Sequence, residues 1–292
     1  TLSNVYQSLG FDWVRHLSMW ASTLVLLFYI AKIIIHPSAV KAEYSNTVPA
    51  SLYAGITMVT MILTSYYRDW IPGPMRILLI AAVCVHAVHI LVFLWRNVFH
   101  GVNLDTFVPS WFVTFNGIMV STVAGAAVLP PIMAKAVLCW GLFIYTVTIP
   151  FMVWRLATRE VKPAAFHTQA IVLAPCSLCL VSYLNVVKEP SQIVVSILTV
   201  CVMASLAFIV IKLPAFYAVP FAPGFAGLTF PMAIGVVASN KAAAYFSGAG
   251  QEMIGNVIKQ IAGFQIYLTT AIIGMVLFCF FKMWQNSMKA AS

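Results

Sequence analysis

The chain has 292 residues, of which 62% are hydrophobic and 8% charged, with a mean hydropathy of +0.96. Water-soluble domains carry about 25% charged residues, so a soluble globular fold is excluded. The net charge of +9 comes from basic residues scattered through short connections rather than from a patch; it is topological, and no nucleic-acid partner is expected.

The charged residues cut the chain into uncharged intervals, each long enough to span a hydrocarbon layer of about 30 Å as a helix. In chain order the expected spans are an opening segment at 17–36, then 44–67, 77–95, 106–134, 136–154, 163–187, 190–211, 213–240 and 260–281. The first tolerates Lys32, whose stem can snorkel to the interface. The period-2 alternation of a membrane β-barrel is absent. The fold class is therefore an all-α polytopic membrane protein, a single transmembrane domain over 1–292.

Two kinds of span alternate. The intervals 44–67, 106–134, 163–187 and 213–240 hold 23 Gly, Ser and Thr residues and ten prolines. The intervals between them hold 11 and two, which marks the first set as inner, kinked helices and the second as outer, lipid-facing ones. Thr47-Val48-Pro49 recurs as Phe107-Val108-Pro109 sixty residues later; His167-Thr168-Gln169 opens a long interval after sixty more. The unit is a helical hairpin, inner helix then outer helix. Residues 1–46 supply only an outer half, so a first inner helix is expected to be missing, with ten helices in the whole.

Ala42-Glu43-Tyr44, Leu173-Ala174-Pro175 and Leu228-Thr229-Phe230-Pro231-Met232, in this order and spacing, resemble the tellurite-resistance/dicarboxylate transporter family. That family takes in bacterial tellurite-resistance protein A, fungal malate and sulfite transporters and plant slow anion channels. The resemblance implies five inner helices around a pore, five outer ones, and a homotrimer of independent pores. It also implies that Phe230 occludes the pore. Pro231 removes a backbone donor beside that ring, and Pro175 is the corresponding kink of the sixth span.

All seven acidic residues fall between spans or near their ends, so no carboxylate sits at mid-membrane to couple transport to protons. The inner helices offer hydroxyls instead. Ser110, Thr114, Gly117 and Ser121 follow one helical face; Tyr53, Thr57, Thr60 and Thr64 follow another; Thr229 adjoins Phe230. These are the expected pore-lining residues, although small and hydroxyl residues also glue membrane helices together. His86 and His89 share a face of the third span, but no second helix supplies matching haem ligands, and they read as packed or interfacial histidines. Cys176 and Cys179 form a lone C-x-x-C, which reads as packing. No catalytic grouping, metal site or cofactor motif is present, so no enzyme is expected.

The expected function is a passive channel for small inorganic anions or small organic acids, with a narrow uncharged pore closed by a phenylalanine. The alternative is a carrier of malate-like dicarboxylates or sulfite on the same fold. The chain is expected in the plasma membrane, and the count of basic residues on either side, nine against seven, places the Arg155, Arg159 and Lys162 cluster and the C-terminus in the cytoplasm.

Overall fold

The computed structural model describes residues 1–291, all-helical with no strand among them. A short α1 (Leu2–Ser8) precedes α2 (Asp12–Ile35) and α3 (Pro37–Ser45). Four broken inner elements follow, each succeeded by a long outer helix. The first is α4 (Thr47–Leu52) and α5 (Ala54–Tyr67), interrupted at Tyr53, then α6 (Pro72–Leu94) with a π turn at Trp95–Phe99. The second is α7 (Trp111–Phe115), a 3-10 turn at Gly117–Met119 and α8 (Val120–Gly125), then α9 (Pro131–Thr158). The third is a 3-10 segment, Pro163–Val172, running into α10 (Leu173–Val186), then α11 (Gln192–Tyr217). The fourth is a 3-10 segment, Pro223–Leu228, running into α12 (Thr229–Gly248), then α13 (Glu252–Ala291).

Seven stretches among the described residues are long and apolar enough to cross a membrane. The intervals 106–134 and 213–240, expected as single spans, are not among them. Their residues are divided between interrupted inner elements and the ends of neighbouring outer helices. Pro131 opens α9 and Pro214 lies inside α11, so these two prolines belong to outer helices and not, as the intervals suggested, to inner ones. Lysine and arginine stems reach the interface from inside a helix end. Lys135, Arg155, Lys212, Lys241 and Lys259 accordingly sit within helices whose bounds the charges cut short.

Burial is greatest in the third inner element. Its window, Ala165–Val186, is 78% buried, whereas the first inner element, Thr47–Tyr67, is 39% buried and the outer windows of α6, α9, α11 and α13 lie between 22% and 39%. α2 is the most exposed, at 6%. Large apolar side chains such as Phe28, Leu91, Phe151, Ile211 and Phe278 stand fully outward on α2 and the outer helices. Water would not tolerate such faces; lipid does.

The sixty-residue repeat is visible in the packing. α5 packs on α8, α8 on α10 and α10 on α12, so inner elements adjoin in chain order. Side chains at matching positions bond across these seams: Ser51 Oγ to Ser110 Oγ at 2.8 Å, and Thr122 Oγ1 to Ser182 Oγ at 2.7 Å. Gly250, at a φ of 78°, makes the left-handed turn that sends α12 back as α13.

One end of the molecule gathers the polar staples. Lys32 Nζ donates to both carboxylate oxygens of Glu43 at 2.7 and 2.8 Å, and Lys162 pairs with Asp105 at 2.9 Å. Arg155, counted above as a topological charge, is buried there and donates to the carbonyls of Leu104, Arg159 and Glu160.

Candidate functional site

The four interruptions converge. A cavity of about 370 Å³ is walled by Val48, Leu52, Gly55 and Met58 of the first inner element and by Phe112 and Gly117 of the second. Thr168, Ile171, Ala174 and Leu178 come from the third, and Pro223, Gly227, Phe230 and Pro231 from the fourth. The 3-10 bonding at each break shifts the helix path, and 3-10 stretches within helices often mark functional hinges. Pro175 and Pro231 are each the third residue of an α-helix that follows a 3-10 segment. A proline there withholds the N–H that would bond Ile171 or Gly227, both of which line the cavity.

The lining carries no charged side chain and one hydroxyl, that of Thr168, which donates to Ala165 O at 2.6 Å. Phe230 belongs to two voids. A second cavity, about 600 Å³, lies between α1, α12 and α13 and shares Ile62, Ala226 and Phe230 with the first. The phenylalanine ring thus stands in the wall between them.

Of the residues expected to line a pore, Gly117, Phe230 and Pro231 border the first cavity and Thr229 borders the second. The other hydroxyls are placed differently. Thr57 Oγ1 lies 2.6 Å from His86 Nδ1 on α6, and Tyr53 donates to Glu43 at 2.7 Å. Thr60 donates to Ile56 O and Ser121 to Ile118 O. Ser110 and Thr114 are wholly buried against the first inner element, Thr114 donating to Ser51 O at 3.0 Å. Each of these finds its partner within the protein. Outside the spans, the Lys32 ammonium and then the Tyr53 hydroxyl hold the Glu43 carboxyl below the usual carboxylate range.

Sequence reading passed over Gly55, Met58, Phe112 and Leu178. Apolar residues of this kind look alike on a lipid face and on a cavity wall. The glycines were the available signal: Gly55, Gly117, Gly224 and Gly227 all border the cavity, where a missing side chain leaves room.

No group of three or more His, Cys, Asp or Glu side chains suited to a metal ion occurs among the described residues. A comparison with curated proteins finds no match. A family model described as "voltage-dependent anion channel" (SLAC1) matches residues 7–284, nearly the whole chain, with the broken inner helices and their cavity inside the matched region. The chain belongs to the SLAC1 family of voltage-dependent anion channels, as a multi-pass helical membrane protein.

Proposed function

We propose that the chain is a passive anion channel whose pathway runs through the cavity shared by the four inner elements, with Phe230 as the ring that closes it. The observation that carries this reading is the lining itself. Four interrupted helices meet around a void with no charged side chain. An ion that enters is held weakly enough to leave again, and a bulky apolar ring closes such a path by excluding water. At about 370 Å³ the void lies near the small end of ligand pockets, about 300–1,000 Å³, which suits a small anion with part of its water. The absence of any carboxylate inside the expected spans favours a channel over a carrier coupled through such a group.

Purified protein in planar bilayers should pass nitrate or chloride current at equal pH on both faces. Malate or sulfite flux that requires a pH gradient, with no inorganic anion current, would establish the carrier instead.

In the plasma membrane, the end bearing Arg155, Arg159 and Lys162 is assigned to the cytoplasm together with Lys289, on the positive-inside count. A cysteine placed at Glu160 should resist impermeant reagents in intact cells; ready labelling would reverse the topology. The family resemblance supports a homotrimer with one pathway per chain, to be read by native mass spectrometry.

A further inference from the structure

The spans lack carboxylates, but they hold a buried histidine, His86, and a half-buried one, His89, in a network that reaches the polar end of the molecule. His86 is fully buried on α6. Its Nε2 lies 2.9 Å from Thr114 O, a carbonyl that can only accept, so this nitrogen carries a proton. Its Nδ1 lies 2.6 Å from Thr57 Oγ1, which in turn lies 2.8 Å from Ala54 O. In the neutral ring, Thr57 donates to Nδ1. In the imidazolium, Nδ1–H donates to Thr57 and the hydroxyl hydrogen turns to Ala54 O. Both protonation states are fully hydrogen-bonded, and one hydroxyl rotation interconverts them.

His89, one turn nearer the polar end, is held between two hydroxyls. Its Nδ1 meets Tyr44 Oη at 2.8 Å and its Nε2 meets Thr114 Oγ1 at 3.2 Å. The two rings are 6.3 Å apart, so charge on one opposes charge on the other and the pair takes up one proton at a time. Tyr44 links the pair to the surface: Arg96 donates to its carbonyl at 2.9 Å, and its ring packs on Tyr53, the donor to Glu43.

The charged and titratable groups facing the pair are few. The π turn that follows α6 offers Arg96, and α3 offers Tyr44 and Glu43, the latter held by Lys32 of α2. Tyr53 and Tyr29 stack beyond these. Residues 111–125 contain no ionisable side chain, and the α9 residues that share a cavity with α6, Met133, Ala136, Val137 and Trp140, contain none either. Meanwhile a Cβ on Gly117 would fall 2.9 Å from His86 Cε1 and 2.7 Å from Met58 Sδ. Gly117 and Met58 both line the central cavity. His86 therefore lies directly behind the cavity wall.

We propose that the His86–His89 pair is a proton-binding site, filled from water at the Tyr44 end, whose positive charge draws anions into the central cavity. This rests on the anion-channel reading. No carboxylate borders the cavity to cancel that charge, and low-dielectric walls concentrate its field on whatever ion enters.

The test is nitrate flux into liposomes carrying the full chain, with pH equal on both faces and stepped from 7.5 to 3.5. The expected result is a rise of about tenfold, the scale of a single nearby charge in such a site. His86→Gln should flatten the profile. Thr57→Val should move its midpoint to lower pH, because the imidazolium then loses an acceptor that the neutral ring needs less. Histidine-selective ¹⁵N spectra of the wild-type chain in nanodiscs give a readout independent of how His86→Gln folds. The rings of His86 and His89, assigned individually, should titrate over this range. Flux independent of pH, or the wild-type profile retained in His86→Gln and His89→Gln, overturns the proposal, as do spectra in which neither the His86 nor the His89 ring titrates. Absence of flux at every pH, with the rings titrating, would instead overturn the channel reading and leave the proton site standing.

Discussion

Thr122 Oγ1 and Ser182 Oγ lie 2.7 Å apart across sixty residues of chain, both wholly buried where α8 meets α10. The same offset joins Cys179 Sγ to Met119 Sδ, and offsets of 63 join Asn185 Nδ2 to Thr122 O and Asn116 Nδ2 to Cys179 Sγ. A repeat in sequence has become a seam in space. Hairpins related by one period place like residues against like, and small hydroxyls at those positions let the helices approach and bond.

This seam makes a first prediction. Thr122→Val keeps the volume but leaves Ser182 with only a distant contact to Met119 O at 3.5 Å. It should destabilise the protein by about 1–2 kcal/mol, the penalty for stranding a buried hydroxyl. Ser182→Ala should be milder, and the double variant should be less destabilised than the sum of the two. Thermal unfolding in detergent, assembled as a double-mutant cycle, reads the coupling. Strict additivity would show that the bond contributes nothing.

How far the sequence carried the reading follows from the same residues. The alternation of broken and continuous helices was legible because proline, glycine and hydroxyl content differ between the layers. Helix ends were less so: the uncharged interval at 213–240 joins the end of α11 to the start of α12, since Lys212 and Lys241 lie within helices instead of bounding them. The hydroxyl stripes, expected as continuous helix faces, cross the breaks: Ser110 precedes α7, Gly117 lies in a 3-10 turn, and Tyr53 lies between α4 and α5. Periodicity, however, says that Tyr53, Thr57 and Thr60 share a face and is silent on what that face meets. Thr57 meets His86 of the next helix, a contact between residues 29 positions apart. The cavity was legible only through its glycines, because Met58, Phe112 and Leu178 carry no chemical mark that separates a pore wall from a core.

Two of those glycines should respond to alanine with opposite sign. A Cβ at Gly55 meets nothing within 4 Å, so Gly55→Ala gains helix propensity, about 0.5–1 kcal/mol, without a clash. A Cβ at Gly117 would fall 2.7 Å from Met58 Sδ and 2.9 Å from His86 Cε1. Gly117→Ala must displace both and should lower stability by about 1–3 kcal/mol. Melting temperatures of the two variants, measured side by side, should move apart; a shift in the same direction would contradict the geometry.

Arg155 shows that a buried charge need not mark the pathway. Arg155 is 1% exposed, and its guanidinium spends Nε, Nη1 and Nη2 on three carbonyls, tying the end of α9 to the loop at Leu104. Lysine has the charge but not the planar fork, so Arg155→Lys should fail to rescue. We expect both Arg155→Lys and Arg155→Met to lose about 2–4 kcal/mol, with anion selectivity unchanged in whatever protein folds. An altered selectivity in Arg155→Lys, at wild-type stability, would move this residue from scaffold to pathway.

Phe230 carries the sharpest prediction, because its two readings differ in sign. The ring forms part of the wall between the cavity of the four inner elements and the void beside α1, and the third residue of α12, Pro231, follows it directly. Removing the ring joins the two spaces. If that ring closes the pathway, Phe230→Ala should raise anion current severalfold or more at unchanged expression, since a hydrophobic constriction opens when water can fill it. If the ring only packs, the substitution leaves a cavity and about 3–5 kcal/mol of lost stability, with no gain of current. Phe230→Leu separates the effects further: it retains most of the packing while shortening the side chain, so a closing ring predicts intermediate current with near-native stability. Single-channel recordings and unfolding curves on the same preparations decide between them. A stably folded Phe230→Ala protein that conducts no better than wild type would remove Phe230 from the role of gate.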